Sequence, residues 1–158
     1  MALMADLRKP VAAIVTAGAV LIGALTVLEG DKLQAYKDSV GVWTISRGIT
    51  KDVKPGMIIT QEQSDKMTEQ ELDQRAVKLK QLIKVPVHQH EWDANMLLAW
   101  NIGIAKYKKS TVLKRLNQKR YKESCDAFLL WKYAGGKPIL LRRRQRERML
   151  CLGKIKKI

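Results

Sequence analysis

From Pro10 to Leu28 the chain carries no charged side chain, and Glu29 follows without a linker. As one helix, these nineteen residues at a rise of about 1.5 Å each would reach roughly 28 Å, close to the hydrocarbon thickness of a bilayer. Arg8 and Lys9 stand just before the run, where positive charge holds an N-terminus on the cytoplasmic side. Three readings compete: a cleaved signal peptide, a permanent anchor and a buried core helix. Ala17-Gly18-Ala19 has the small-residue spacing of a signal-peptidase site. Five alanines, Gly18, Gly23, Thr16 and Thr26 leave the run weakly hydrophobic for its length. A segment of that kind is able to span a membrane and also to leave it, because its free-energy preference for lipid is small.

The remainder is long enough for one domain with a real core, in a chain of 158 residues of which 46% are hydrophobic and 28% charged. Thirty Lys and Arg against fifteen Asp and Glu leave a formal charge of +15, which calls for a polyanionic partner. Nucleic acid, anionic lipid and the bacterial envelope all satisfy that demand. The basic C-terminal stretch lacks any recognisable nucleic-acid-reading motif, so no specific nucleic acid is expected. Cys125 and Cys151 form no CxxC pair, and His88 and His90 are the only histidines. His88-x-His90 offers no third ligand, so neither metal nor cofactor is expected. The cysteines leave two readings open, a structural disulfide outside the cytoplasm and two unpaired core thiols.

Along the chain, residues 33–50 hold scattered aromatics, two glycines and the β-prone run Val42-Trp43-Thr44-Ile45, which predicts a small antiparallel sheet. Thr60 with Gln63 is a capping box, and 61–83 carries Met67, Leu72, Val77, Leu79 and Leu82 among charges, as an amphipathic helix does. From about 91 onward the pattern stays helical, punctuated at Gly103, at Ser110 as a cap and at Gly135-Gly136. The expected fold is α+β and mainly helical: an apolar N-terminal segment over 1–28, then a domain over 29–158 with a small sheet lobe and a larger helical lobe.

The chemistry concentrates in Leu28-Glu29-Gly30, Tyr36-Lys37-Asp38 and Gly41-Val42-Trp43-Thr44-Ile45. Glycoside hydrolysis commonly needs one carboxyl to protonate the leaving oxygen and a second group across the sugar to activate or stabilise. Poor solvation favours the protonated form of a carboxyl, which is what a proton donor requires, and Glu29 ends an apolar segment. Asp38 would face it from the sheet lobe, and the Thr44 hydroxyl would position water. Carboxylates at such spacing are common on solvated surfaces, so spacing alone is weak. The four tryptophans, Trp43, Trp92, Trp100 and Trp131, read as core more readily than as sugar platforms; only Trp43, beside Thr44, is placed near a cleft.

This run resembles the signature of the phage-type lysozymes, glycoside hydrolase family 24. Glu29, Asp38 and Thr44 fall on that family's Glu-Asp-Thr triad. The resemblance continues through Asn101-Ile102-Gly103, Ser110-Thr111-Val112-Leu113, Leu116-Asn117, Trp131, Tyr133-Ala134-Gly135-Gly136-Lys137, Arg142-Arg143-Arg144, Glu147 and Cys151-Leu152. It implies a two-lobed lysozyme fold and cleavage of the β-1,4 bond between N-acetylmuramic acid and N-acetylglucosamine in peptidoglycan, with Glu29 as acid and Asp38 and Thr44 ordering the attacking water. It also implies an arginine supporting the catalytic glutamate: Arg142 is the first choice and an adjacent arginine the second. The apolar segment further resembles the signal-anchor-release endolysins. These are exported tethered and inactive at the host inner membrane, then become active in the periplasm. A monomer is expected, touching the inner membrane transiently through residues 10–28.

Two departures from the family pattern stand out: Ser46 where a glycine is frequent, and Ile49 where a histidine is frequent. Neither removes a triad residue. The reading from a different class is a cationic membrane-disrupting protein without hydrolytic activity. Within the enzymes, a lytic transglycosylase would use a similar glutamate but no hydrolytic water, and Thr44 favours hydrolysis.

Overall fold

The computed structural model describes residues 6–16 and 18–158; Met1–Ala5 and Ala17, parts of the expected signal-like segment, lie outside the described residues. The chain divides into two compact units, one formed by residues up to Thr16 together with Arg75–Ile158, the other by Ala17–Gln74. The architecture is mainly helical with a small antiparallel sheet, as expected from the sequence.

The apolar N-terminal run is not one helix. Val11–Ala13 makes a single 3-10 turn, Ile14 is extended, and the first α-helix, α1, spans Gly18–Glu29. The interruption has a physical basis in the larger unit. Lys9 and Val87 exchange both backbone hydrogen bonds at 2.9 Å, and Ile14 is buried. Lys80 Nζ donates to the Ile14 carbonyl and Gln89 Nε2 to the Val15 carbonyl, each at 2.9 Å. Side chains from elsewhere thus satisfy carbonyls that a continuous helix would have satisfied itself. Among the described residues no helix is long and apolar enough to cross a membrane.

In the smaller unit, α1 buries Leu21, Ala24 and Leu25, the i, i+3, i+4 stripe of a helix with one inward face. It stops at Gly30, whose φ of +75° only glycine adopts without strain and whose N–H bonds the Thr26 carbonyl. Strands β1 (Lys32–Lys37) and β2 (Trp43–Ser46) then pair antiparallel, with Lys32 opposite Ser46 and Tyr36 opposite Thr44. The turn between them is built by Asp38, whose Oδ1 accepts the N–H groups of Val40 (3.0 Å) and Val42 (2.8 Å). Helix α2, Gln61–Leu82, begins with the expected capping box: Gln63 N–H donates to Thr60 Oγ1 and Thr60 N–H to Gln63 Oε1. The boundary between the units falls inside this helix.

The larger unit is organised on α3, Gln89–Ile102, in which ten consecutive residues from Glu91 to Trp100 are buried. It places Trp92, Met96, Leu97 and Leu98 in the core with no exposure. Of its polar members, Asn95 donates to the Glu91 carbonyl and accepts from the Tyr107 hydroxyl at 2.7 Å. Of helices α4 (Ile104–Lys108), α5 (Thr111–Asn117), α6 (Tyr121–Asp126) and α7 (Leu141–Cys151), α7 packs along α3, α4 also touches it, and α5 and α6 pack on each other. Ser110 caps α5 by accepting from the Leu113 N–H, as its position predicts. Cys125 and Cys151 are joined by a disulfide with Cα atoms 5.7 Å apart, tying the end of α6 to the end of α7.

Candidate active site in the smaller unit

Glu29, Asp38 and Thr44 all lie in the smaller unit, on three consecutive pieces of backbone: the last residue of α1, the β1–β2 turn and the middle of β2. Tyr36 reports their proximity. Its phenol is raised above the ordinary tyrosine value, first by burial, then by the negative charges of Glu29 and Asp38, both close enough to act on it. Tyr36 in turn sits opposite Thr44 in the ladder. The hairpin thus holds Asp38 in its turn and Thr44 opposite Tyr36, directly after Glu29 ends α1.

Each group is prepared differently. Glu29 is half-buried at the end of the apolar helix. Asp38 commits Oδ1 to two backbone amides of its own turn, which locks the carboxylate's orientation and leaves Oδ2 outside the turn's hydrogen bonds. Thr44 is 3% exposed, and its hydroxyl donates to the Val42 carbonyl at 3.0 Å. With its proton so directed, the hydroxyl presents lone pairs, which accept a hydrogen bond from a water. Trp43 is half-buried on β2, with the Lys37 ammonium 5.5 Å from its ring centroid, whereas Trp92 and Trp100 are core residues of the larger unit.

Behind these groups lies a buried polar cluster that sequence reading passed over. Arg47, 3% exposed, donates from Nε to Thr26 Oγ1 (2.8 Å) and from Nη2 to Asp65 (2.8 Å), with Asp31 Oδ2 at 3.0 Å. Its Nη1 reaches Thr68 and Ser64. Ser46, at φ +57°, bonds Ser64 at 2.6 Å through its side chain. A serine in the left-handed region is strained relative to glycine, and this hydroxyl contact offsets part of that cost. Asp65 is held below its usual carboxylate value, chiefly by the hydrogen bond from Arg47. The available signal in the sequence was a lone arginine inside the otherwise uncharged run Gly41–Thr50; the acids that answer it come from residues 31 and 65.

The arginine run lies in the larger unit. Arg142 is exposed at the start of α7 and shares a surface groove with Gln145, Arg146, Met149, Ile155 and Lys157. Arg143 and Arg144 both reach the fully buried Glu147, at 2.9 and 2.7 Å, and Arg144 also donates to the Trp131 carbonyl and to Asn101. His88 and His90 have a third neighbour that their spacing did not reveal: Glu91, with one ligand-type atom from each within 4.8 Å. Glu91 Oε1 already accepts from Arg8 Nε (2.8 Å) and from the His88 N–H (3.1 Å), so a guanidinium sits where a cation would be drawn.

Against known proteins, residues 26–147 match the phage lysozyme family model. The chain belongs to the phage lysozyme family. It is 45% identical over 130 residues to an endolysin of Salmonella phage P22, covering 78% of this chain and 89% of that one. It is 36% identical over 158 residues to a SAR-endolysin of Enterobacteria phage P21, covering 93% and 96%. A crystal structure of P22 lysozyme superposes with a TM-score of 0.76 at 43% identity, covering 88% of this chain and 97% of that one. As a phage lysozyme the chain is a glycoside hydrolase, a muramidase acting on peptidoglycan in host-cell lysis.

Proposed function

We propose that the muramidase reaction runs on Glu29, Asp38 and Thr44, cleaving the β-1,4 bond between N-acetylmuramic acid and N-acetylglucosamine. The observation that carries this reading is the hairpin that follows Glu29 at the end of α1, with Asp38 building its turn and Thr44 on its second strand opposite Tyr36. Glu29 donates its proton to the leaving glycosidic oxygen. A water enters on the other side of the sugar, oriented by Asp38 Oδ2 and by the lone pairs of Thr44 Oγ1. It attacks the anomeric carbon, and its proton passes to Asp38. Arg142 is carried in this proposal as the supporting cation implied by the family resemblance. The enzyme acts as a monomer without metal or cofactor.

The test is turbidity clearing and reducing-end release on purified peptidoglycan, wild type against Glu29→Gln. Loss of both signals in a variant with native circular dichroism is the expected result. Clearing by the variant would transfer the activity to another residue or to membrane disruption, and anhydro-sugar products would mean transglycosylation.

The second part of the proposal concerns residues 10–28, which we assign as a tether that holds the enzyme inactive at the host inner membrane until release into the periplasm. The SAR-endolysin relatives support it, and so does the way the segment is used once folded. Arg8, Lys9, Ile14 and Val15 all bond to the larger unit's Val87–Glu91 region or to Lys80. The contacts of Ile14 and Val15 and a membrane-spanning helix over 10–28 are mutually exclusive uses of the same residues. Membrane and soluble fractions followed over time should show full-length protein moving from the first to the second; a shortened, cleaved product as the sole soluble species would overturn the assignment.

A further inference from the structure

Glu29 is the last residue of α1. Gly30 follows it, and the helix that carries it ends there. A catalytic acid works only in a fixed geometry, and displacements of about 1 Å cost on the order of a hundredfold in rate. Something must therefore hold the backbone on both sides of Glu29.

Arg47 touches both sides. Its Nε binds Thr26 Oγ1, three residues before Glu29, and its Nη2 pairs with Asp31, two residues after it. The same Thr26 hydroxyl donates to the Ile22 carbonyl at 2.8 Å, so the side chain that Arg47 grips is itself fixed to α1. Asp31 is held a second time: its Oδ1 accepts from Ser64 Oγ at 2.6 Å and its Oδ2 from Gln61 Nε2 at 2.6 Å. Arg47 itself lies three residues beyond Thr44, at the end of β2, and Nη1 and Nη2 anchor it to the first turns of α2 through Ser64, Asp65 and Thr68. One planar guanidinium thus connects the backbone flanking the acid to the strand that carries the water-ordering threonine. Only arginine has the forked donors to serve such divergent acceptors at once; a lysine ammonium is a single point.

On these contacts, and resting on the assignment of Glu29 as the acid, we infer that Arg47 is a positioning residue for catalysis, clamping residues 26 and 31 so that Glu29 keeps a fixed orientation relative to Thr44. It touches no substrate. Its effect is on the geometry of proton donation and so belongs to kcat rather than KM.

The experiment compares kcat, KM and the pH–kcat profile on soluble peptidoglycan fragments for wild type, Arg47→Lys, Thr26→Val, the double variant and Glu29→Gln, with circular dichroism and thermal melting on each. The expected result is a kcat reduced about tenfold or more in Arg47→Lys with KM within twofold, and a displaced pH limb for the proton donor. Thr26→Val, which removes only the acceptor on α1, should reproduce part of the loss with little change in melting. The double variant should be no slower than Arg47→Lys, because both break the same link. Native kcat in folded Arg47→Lys, or strictly additive losses, overturns the proposal. If Arg47→Lys does not fold, Thr26→Val decides, and native kcat there overturns it. Glu29→Gln separates the two claims. If it stays active, the acid assignment fails; if it is dead while the Arg47 and Thr26 variants are native, only the clamp fails.

Discussion

Tyr36 and Thr44 face one another across the β1–β2 ladder, and the Tyr36 phenol lies within electrostatic reach of both Glu29 and Asp38. That pairing makes a two-stranded hairpin into the frame of the proposed site. The strands are too short to be stable alone, but α1 enters the hairpin directly and α2 leaves it, and the Arg47 cluster ties all three together.

Asp38 serves the turn and, in the proposed mechanism, the chemistry, and the two uses separate by substitution. Asp38→Asn retains an oxygen for the Val40 and Val42 amides and should keep the melting temperature within a few degrees. Loss of the charge should lower kcat by roughly a hundredfold or more, the usual contribution of a positioned base. Asp38→Ala should lose both, with the two turn hydrogen bonds worth about 1 kcal/mol each. Parallel melting and reducing-end assays check this; an active Asp38→Asn would remove the residue from the mechanism.

The Cys125–Cys151 disulfide spans 26 residues of sequence. Loop-closure entropy assigns such a cross-link about 3.5 kcal/mol of stabilisation, or roughly 10 °C in melting temperature for a chain of this size. Melting with and without reductant should show a downward shift of that order. An unchanged transition after confirmed reduction would mean that packing of α6 on α7, with the Arg148–Asp126 pair at 2.7 Å, suffices.

Acid should weaken the protein through carboxylates held low in the fold. Asp65, lowered by Arg47, and Asp126, lowered by Arg148, both lie below the ordinary 3.8. A group with a depressed folded pKa contributes stability that is fully present above its unfolded value and is lost as pH falls through the folded value. Melting temperature should thus fall as pH drops below about 4. Asp65→Asn should melt lower than wild type at pH 6, and the gap should close toward pH 2; a constant gap would mean that the charge is not the cause.

The Arg8–Glu91 pair sets the cost of undocking the N-terminal segment. Glu91 is 2% exposed, and Arg8 also stacks on the Tyr121 ring, 3.5 Å from its centroid. Arg8→Ala leaves a buried carboxylate with less compensation, a loss of about 1–3 kcal/mol. Urea midpoints of the released protein should fall accordingly. In the proposed release cycle the variant should also partition more to the membrane fraction; an unchanged midpoint would make the contact incidental.

Much was readable from residues in a row. Periodicity and caps located α2 and the Ser110 start of α5, because those signals are local and act within one helical turn. The placement of Glu29, Asp38 and Thr44 in one unit was legible for a related reason: they fall within sixteen residues, and a hairpin brings near what is already near. The apolar run was legible as composition but not as conformation. One helix over 10–28 was expected, and Lys80, Gln89 and Val87, far along the chain, break it by supplying partners of their own. The same holds for Arg47, whose acids arrive from α2 and from beyond Gly30, and for Glu91 beside the histidine pair, which needed α3 to turn it inward. Buried charge is where linear reading ends: a charged side chain enters a core only with partners, and which partners reach it is decided by how distant segments pack.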